Sequence, residues 1–69
     1  MIVYGLVVRV TREGATVEVK HTENDVEVYY ETREQADEEQ TYWQTRSYHA
    51  PRYGELEIYR VAQYDIVTL

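Results

Sequence analysis

The sequence predicts a single small α+β domain, in which one helix packs on one face of an antiparallel sheet of about five strands, in the order βββαββ. Three observations support this prediction. Segments with alternating apolar and polar residues, typical of half-buried strands, lie on both sides of the middle of the chain. Turn-forming residues separate these segments. The stretch Thr32-Arg33-Glu34-Gln35 has the spacing of a helix capping box.

The first three strands are predicted as an antiparallel meander. Residues 2–10 are apolar on both faces, which is typical of a strand at the centre of a sheet. A turn at residues 11–14 leads to residues 15–20, which alternate with Val17 and Val19 on one side. After a second polar turn, residues 26–31 alternate again and are predicted to form the third strand.

The helix is predicted from Arg33 to about Ser47, with the acidic residues of its first turn placed favourably for the helix dipole. Its inward stripe is expected to be Ala36, Gln40, Trp43 and Ser47. Residues 41–48 are also rich in Thr, Tyr and Trp, which prefer strands. A fourth strand at residues 41–48 is therefore the alternative.

The end of the chain is predicted to form the last two strands. Pro51 places residues 50–54 in a loop. In residues 55–61, Leu56 and Ile58 are expected to point inward, and Glu55, Glu57 and Tyr59 outward. The final strand is predicted at residues 64–69, after a tight hairpin or bulge at Ala62-Gln63.

Length and composition limit the class of protein. Sixty-nine residues predict one domain, 1–69, with a small core. The absence of cysteine excludes disulfides and thiolate metal sites. The longest apolar run, residues 2–8, is too short to cross a bilayer, and no basic segment precedes it as in a signal peptide. We therefore expect a cytoplasmic protein that does not act at a membrane.

Negative charge is concentrated in one part of the chain. Residues 23–39 contain eight acidic residues against Arg33 alone, a net charge of −7, whereas the whole chain has a net charge of −6. One interpretation is a solvated face that keeps the protein soluble. The other is a docking surface for a basic partner, because an acidic field accelerates association with a cationic protein.

The aromatic composition favours tyrosine, with eight Tyr, one Trp and no Phe. Tyrosine provides a large, stiff contact area with a polar end and is common in interfaces, but it also tolerates half-burial on an uncovered sheet face. Tyr29 and Tyr59 are expected on the same face as Val3 and Val7. Such a face would suit either a homodimer or the binding site for a target protein.

The sequence offers little for catalysis or metal binding. Ser47 and His49 alone do not make a catalytic triad. His21, Glu23 and Asp25 alternate across a turn, which is a weak signal for a metal site. The pair Glu34 and Glu38 would need a cleft to act as an acid and a base. We expect no enzymatic activity, no metal and no cofactor.

The function predicted from these observations is a non-enzymatic, acidic protein-binding module. It is expected to inhibit a basic, nucleic-acid-binding protein, such as a nuclease or a polymerase, by occupying its groove in place of phosphates. Small acidic inhibitors of this kind are typical of phages and mobile elements. Direct binding of nucleic acid is disfavoured by the charge. The alternative is a structural homo-oligomer that uses the Tyr/Val sheet face. The predicted partner-binding residues are Glu27, Tyr29, Glu31, Glu34, Asp37, Glu38, Glu39, Tyr42, Trp43 and Tyr59.

Overall fold

The computed structural model describes residues 1–67 and confirms the α+β class, with one helix, a three-stranded antiparallel sheet and a separate two-stranded ribbon. No helix in this part of the chain is long and apolar enough to be a membrane span. In chain order the elements are β1 (Ile2–Arg12), β2 (Ala15–Lys20), β3 (Thr22–Glu23), β4 (Val26–Glu27), α1 (Arg33–His49) and β5 (Leu56–Asp65).

The strand β1 lies at the centre of the main sheet, as its two apolar faces predict, and the strand order is β2-β1-β5. Both neighbours run antiparallel to it. A two-residue turn, Glu13-Gly14, joins β1 to β2, and both of its residues have positive φ, as a tight hairpin turn requires.

The predicted third strand at residues 26–31 is wrong in extent. Only β4 (Val26–Glu27) is a strand, and it pairs with β3 in the ribbon, around a turn in which Asn24 and Asp25 have positive φ. The chain returns to the main sheet at Tyr30, which forms an isolated bridge with Tyr4. The alternating pattern of residues 26–31 does not distinguish a continuous strand from a short ribbon that leaves the sheet and rejoins it.

The helix is confirmed, and the alternative strand at residues 41–48 is wrong. Both bonds of the capping box are present: Gln35 N donates to Thr32 Oγ1 (3.2 Å), and Thr32 N donates to Gln35 Oε1 (3.3 Å). The inward stripe is also confirmed, since Ala36 and Ser47 are buried and the two residues between them on this stripe are half-buried. Packing of this stripe on the sheet outweighs the strand propensity of the Thr and Tyr residues.

The predicted orientation of the last strands is wrong. Residues 56–65 form one strand, without a hairpin at Ala62-Gln63, and residues 68–69 of the predicted final strand lie outside the described part of the chain. In β5, Glu57 and Tyr59 are 2% and 3% exposed, whereas Leu56 and Ile58 are exposed. The register pairs Tyr59 with Val8, so both side chains lie on the face that the helix covers.

The buried carboxylate of Glu57 explains this reversed orientation. The backbone N–H groups of Arg52, Tyr53 and Gly54 all donate to it, and the Ser47 hydroxyl donates to Oε1 at 2.9 Å. A charge can be buried when hydrogen bonds replace its hydration, and these groups satisfy both carboxylate oxygens. The carboxylate thereby connects the end of α1, the loop after it and β5.

The core lies between the helix and the sheet. Its buried centre consists of Leu6, Val8, Val10 and Tyr59, with Tyr30, Trp43, Tyr53 and Val61 packed around it. On the opposite face of the sheet, Val3 and Val7 are also buried. The prediction that Tyr59, Val3 and Val7 share one open face is therefore wrong for residues 1–67, because all three are buried and Tyr59 lies on the helix side.

His21 is buried at the junction between the ribbon and the core. It is 2% exposed, and its ring centroid lies 4.5 Å from that of Trp43. The Tyr53 hydroxyl lies 3.2 Å from His21 Nδ1 and also accepts a hydrogen bond from Thr22 N. Burial, together with the nearby positive charge of Arg52, lowers the pKa of His21 below its ordinary value. The native fold therefore favours the neutral imidazole.

We expect the Glu57→Ala variant to lose about 3 kcal/mol or more of unfolding free energy, because three backbone N–H groups and a hydroxyl lose their acceptor at about 1–3 kcal/mol each. Urea unfolding followed by Trp43 fluorescence measures this loss. The exposed neighbour gives the control, since Glu55→Ala should change stability by less than about 0.5 kcal/mol. Equal effects of the two substitutions would contradict the structural role of Glu57.

We expect the free energy of unfolding to fall as the pH drops below 6.5, the ordinary pKa of histidine. Between that value and the lower pKa of folded His21, the unfolded chain binds more protons than the native protein, at a cost of at most about 1.4 kcal/mol per pH unit. The His21→Gln variant should show a weaker pH dependence in thermal melts. The exposed His49 gives the matched control, because His49→Gln should retain the dependence.

Candidate functional site

The acidic residues of 23–39 form an exposed surface that lacks compensating cations. We call the eight carboxylates of this segment the acidic surface. Only Glu27 is within 4.0 Å of a cationic group among residues 1–67, at 3.9 Å from Lys20 Nζ. The other seven carboxylates of the acidic surface have no ion pair within the described chain: Glu23, Asp25, Glu31, Glu34, Asp37, Glu38 and Glu39.

A cleft of about 370 Å³ lies within the acidic surface, between the chain segment that precedes α1 and the first turns of the helix. Three glutamates and two tyrosines contribute to its lining, and no basic residue does. The lining residues are Tyr29, Tyr30, Glu31, Gln35, Glu38 and Glu39. A cleft with three glutamates in its lining matches the charge of a lysine or arginine side chain.

Two local structures hold the walls of the cleft in place. The bridge between Tyr30 and Tyr4 fixes the segment before the helix, with backbone N···O distances of 2.7 and 2.9 Å. The capping box fixes the helix start, so that Glu38 and Glu39 fall on the side that faces this segment. Both walls therefore belong to hydrogen-bonded structure rather than to a free loop.

Tyr29 is anchored on the face of the sheet away from the helix. Its hydroxyl donates to Glu27 Oε2 at 2.6 Å, and its ring packs edge-to-face on Tyr64, with centroids 5.7 Å apart. The absence of a side chain at Gly5 permits this packing, because a Cβ there would lie 3.1 Å from Tyr64 Cε2. The hydrogen bond to Glu27 raises the pKa of Tyr29.

The hydroxyl of Tyr30 is buried and has no hydrogen-bond partner among residues 1–67. Burial raises the pKa of Tyr30 to about 12, and the negative charges of Glu39 and Glu23 add to this shift. Burial is the main cause of this shift, and Glu39 is the cleft carboxylate that adds to it. An unpaired buried hydroxyl is a cost to stability.

The structure brings together four of the ten predicted partner-binding residues: Tyr29, Glu31, Glu38 and Glu39 all line the cleft. Glu34 and Asp37 are exposed on the adjoining turns of α1, so they extend the acidic surface beyond the cleft. Glu27 is exposed beside the cleft, although Lys20 and the Tyr29 hydroxyl engage its carboxylate.

The three remaining predicted residues lie elsewhere. Tyr42 is exposed near the middle of the helix, where its hydroxyl accepts a hydrogen bond from Arg46. Trp43 packs inward against His21, and Tyr59 is buried in the core. Tyr59 is enclosed in the core and Trp43 is half-buried against it, so both side chains stabilise the fold.

Sequence reasoning missed Tyr30 and Gln35 as cleft residues. Alternation assigned Tyr30 to the core, and it does pack there, but its ring also forms part of the cleft wall. The capping box predicts a structural role for Gln35. Its second role, in the cleft, depends on the path of residues 28–31, which the sequence pattern does not predict.

The residues considered for catalysis or metal binding either form structural contacts or do not lie close together. The Ser47 hydroxyl donates to buried Glu57, and His21 is enclosed by aromatic rings. Within residues 1–67, no group of three or more His, Asp or Glu side chains is arranged to hold a metal ion. Of the residues predicted for function, those of the acidic surface are the ones that share a cleft.

Comparisons with known proteins do not assign the chain to a family: no protein-family model, no curated protein and no solved structure matches it.

We expect the Glu39→Gln variant to lower the pKa of Tyr30 from its value of about 12, because a neighbouring negative charge disfavours the phenolate. NMR titration of protein labelled in the tyrosine rings measures this pKa. Glu34→Gln removes the same charge from the adjoining helix surface and should leave the pKa of Tyr30 nearly unchanged. Equal shifts in both variants would show that the field of the cleft is not local.

Proposed function

We propose that the protein is a non-enzymatic binding module whose acidic surface docks on a basic, nucleic-acid-binding protein, such as a nuclease or a polymerase. By occupying the groove that otherwise receives phosphates, it inhibits the partner. The proposal includes a cytoplasmic location and an origin in a phage or mobile element. No direct contact with nucleic acid is part of the mechanism, since the carboxylates repel phosphates.

The observation that supports this proposal most is the set of seven exposed or half-exposed carboxylates without an ion pair in residues 1–67. In the same part of the chain, Glu18 contacts both Arg9 and Arg60. Within residues 23–39 Arg33 is the only basic residue, and Glu27 alone pairs with a cation of the described chain, so most of the negative charge of the acidic surface is uncompensated. Uncompensated carboxylates on one surface produce a field that attracts and orients a cationic partner.

The cleft adds a specific contact to this general attraction. Tyr29 and Tyr30 form one wall, and Glu38 and Glu39 lie on the other. A lysine or arginine side chain of the partner would pair with these carboxylates. Long-range attraction then determines the rate of association, and the cleft determines the orientation of the partner.

A charge reversal tests the acidic surface. The double variant Glu38→Lys/Glu39→Lys should associate with the partner about tenfold more slowly, or slower still, at low ionic strength, because electrostatic steering is lost. The control is Glu13→Lys/Glu55→Lys, which changes the net charge equally at exposed positions outside the acidic surface. Stopped-flow or biosensor association rates compare the three proteins.

The partner for these measurements comes from affinity capture on the immobilised protein. Proteins retained at about 0.05 M salt are eluted first with duplex DNA and then at about 0.5 M salt, where surface charges are screened. Elution of a nucleic-acid-binding protein by DNA supports the proposal. Equal association rates for both double variants, or a captured protein that DNA does not displace, would exclude phosphate mimicry by this surface.

A further inference from the structure

The outer edge of β2 is bare in the described part of the chain. His21 N donates to Leu6 O at 2.9 Å, and this hydrogen-bonded pair is in register with the β1–β2 ladder. Hydrogen-bonded pairs alternate along an antiparallel ladder, so the backbone groups of residues 15, 17 and 19 face β1. The N–H and C=O groups of Thr16, Glu18 and Lys20 therefore point away from the sheet, where no strand of residues 1–67 pairs with them.

The opposite edge of the sheet, formed by β5, is partly covered. Gln44 accepts from Tyr59 N (2.8 Å) and donates to Glu57 O (2.7 Å), while Gln40 donates to Tyr59 O (2.9 Å). These side chains occupy backbone groups that an added strand would need. Folded proteins commonly protect sheet edges in this way, so the bare edge of β2 differs from its counterpart.

The side chains of β2 permit a close approach along this edge. Val17 and Val19 lie on the helix side of the sheet, beyond the cover of the helix, and are 58% and 37% exposed. On the other side, Glu18 is within 4.0 Å of both Arg9 and Arg60. The negative charge of Glu18 on this edge is thus compensated by neighbouring arginines. The acidic surface differs, because there the carboxylates of two copies would repel each other.

We propose that the outer edge of β2 binds β2 of a second copy of this chain in an antiparallel, two-fold symmetric arrangement. The two sheets then form one continuous sheet of six strands, three from each copy. Such a pairing satisfies the outward backbone groups of both copies and covers the exposed valines.

The register of the pair follows from backbone and charge constraints. The outward residues must face each other, so Glu18 can lie opposite Thr16, Glu18 or Lys20 of the second copy. Glu18 opposite Glu18 places like charges together, which is destabilising. Glu18 opposite Lys20 places residues 15 and 16 of one copy opposite residues 23 and 22 of the other, which belong to the separate β3–β4 ribbon and do not continue the edge of β2. Glu18 opposite Thr16 remains.

This register places Val17 of one copy directly opposite Val17 of the other, at a pair without backbone hydrogen bonds, where side chains are closest. It places Val19 opposite Ala15, which suits a large and a small side chain on the same face. The β3–β4 ribbon of each copy then lies beyond the Glu13-Gly14 turn of the other. The proposal is independent of the docking function, because the cleft does not include β2.

Single cysteines test both the interface and its register, since the natural chain has no cysteine. In Val17→Cys the two Cβ atoms would be about 4.5–5.5 Å apart, close enough for a disulfide after small adjustments. In Val19→Cys the two residues would be about 13 Å apart along the strands, too far for a disulfide. Under mild oxidation we expect Val17→Cys to form the disulfide dimer on the order of tenfold faster than Val19→Cys.

The unlinked wild-type protein provides the second measurement. Sedimentation velocity over a dilution series should show a dimer that dissociates on dilution. Thr16→Pro should be monomeric at the same concentrations, because it removes an outward N–H that the monomer does not use. Circular dichroism verifies that this variant is folded.

Three results would overturn the proposal: equal cross-linking of the two cysteine variants, a wild-type protein that is monomeric at every concentration, or a folded Thr16→Pro variant that still dimerises. A folding defect in Thr16→Pro leaves the cysteine comparison decisive. None of these three results depends on the association rates of Glu38→Lys/Glu39→Lys. The proposed docking function and the proposed dimer can therefore be excluded independently of each other.

Discussion

The buried carboxylate of Glu57 is the constraint on which the rest of the fold depends. Its hydrogen bonds join the last turn of the helix, the loop after it and β5. A domain of 69 residues has a small apolar core, so polar contacts that connect three elements contribute a large share of its specificity. Because the carboxylate is on the helix side, the orientation of every other residue of β5 follows from it.

The acidic surface depends on this arrangement through the helix. With the end of α1 tied to β5 through Ser47 and Glu57, and its start held by the capping box, the first turns project toward the segment that contains Tyr29 and Tyr30. Carboxylates that are adjacent only in sequence thereby become neighbours across a cleft. Their mutual repulsion is a cost to stability that a fold can carry when the charge serves association.

Sequence patterns predicted the α+β class, the central position of β1, and the helix with its cap and inward stripe, because each rests on local chemistry. Glu57 and Tyr59 were expected outside, since alternation identifies two faces but does not say which one is buried. Because Leu56 and Ile58 are apolar, the pattern favoured burying their face of the strand, which is wrong. The loop N–H groups that stabilise buried Glu57 cannot be predicted from the sequence of the strand alone. The cleft was predicted only in part, because it depends on where the chain returns to the sheet at Tyr30.

The glutamines on α1 also limit how far the sheet can grow. Gln40 and Gln44 occupy backbone groups at the outer side of β5, so strand addition from that direction is obstructed within the same molecule. In the proposed pair each copy uses the bare edge of β2, so a third copy would have to add at β5, where these glutamines hinder it. The side chains of Gln40 and Gln44 thus favour a closed dimer over an open-ended fibre. Fibre growth by edge-to-edge strand addition is a common hazard for small β-rich proteins.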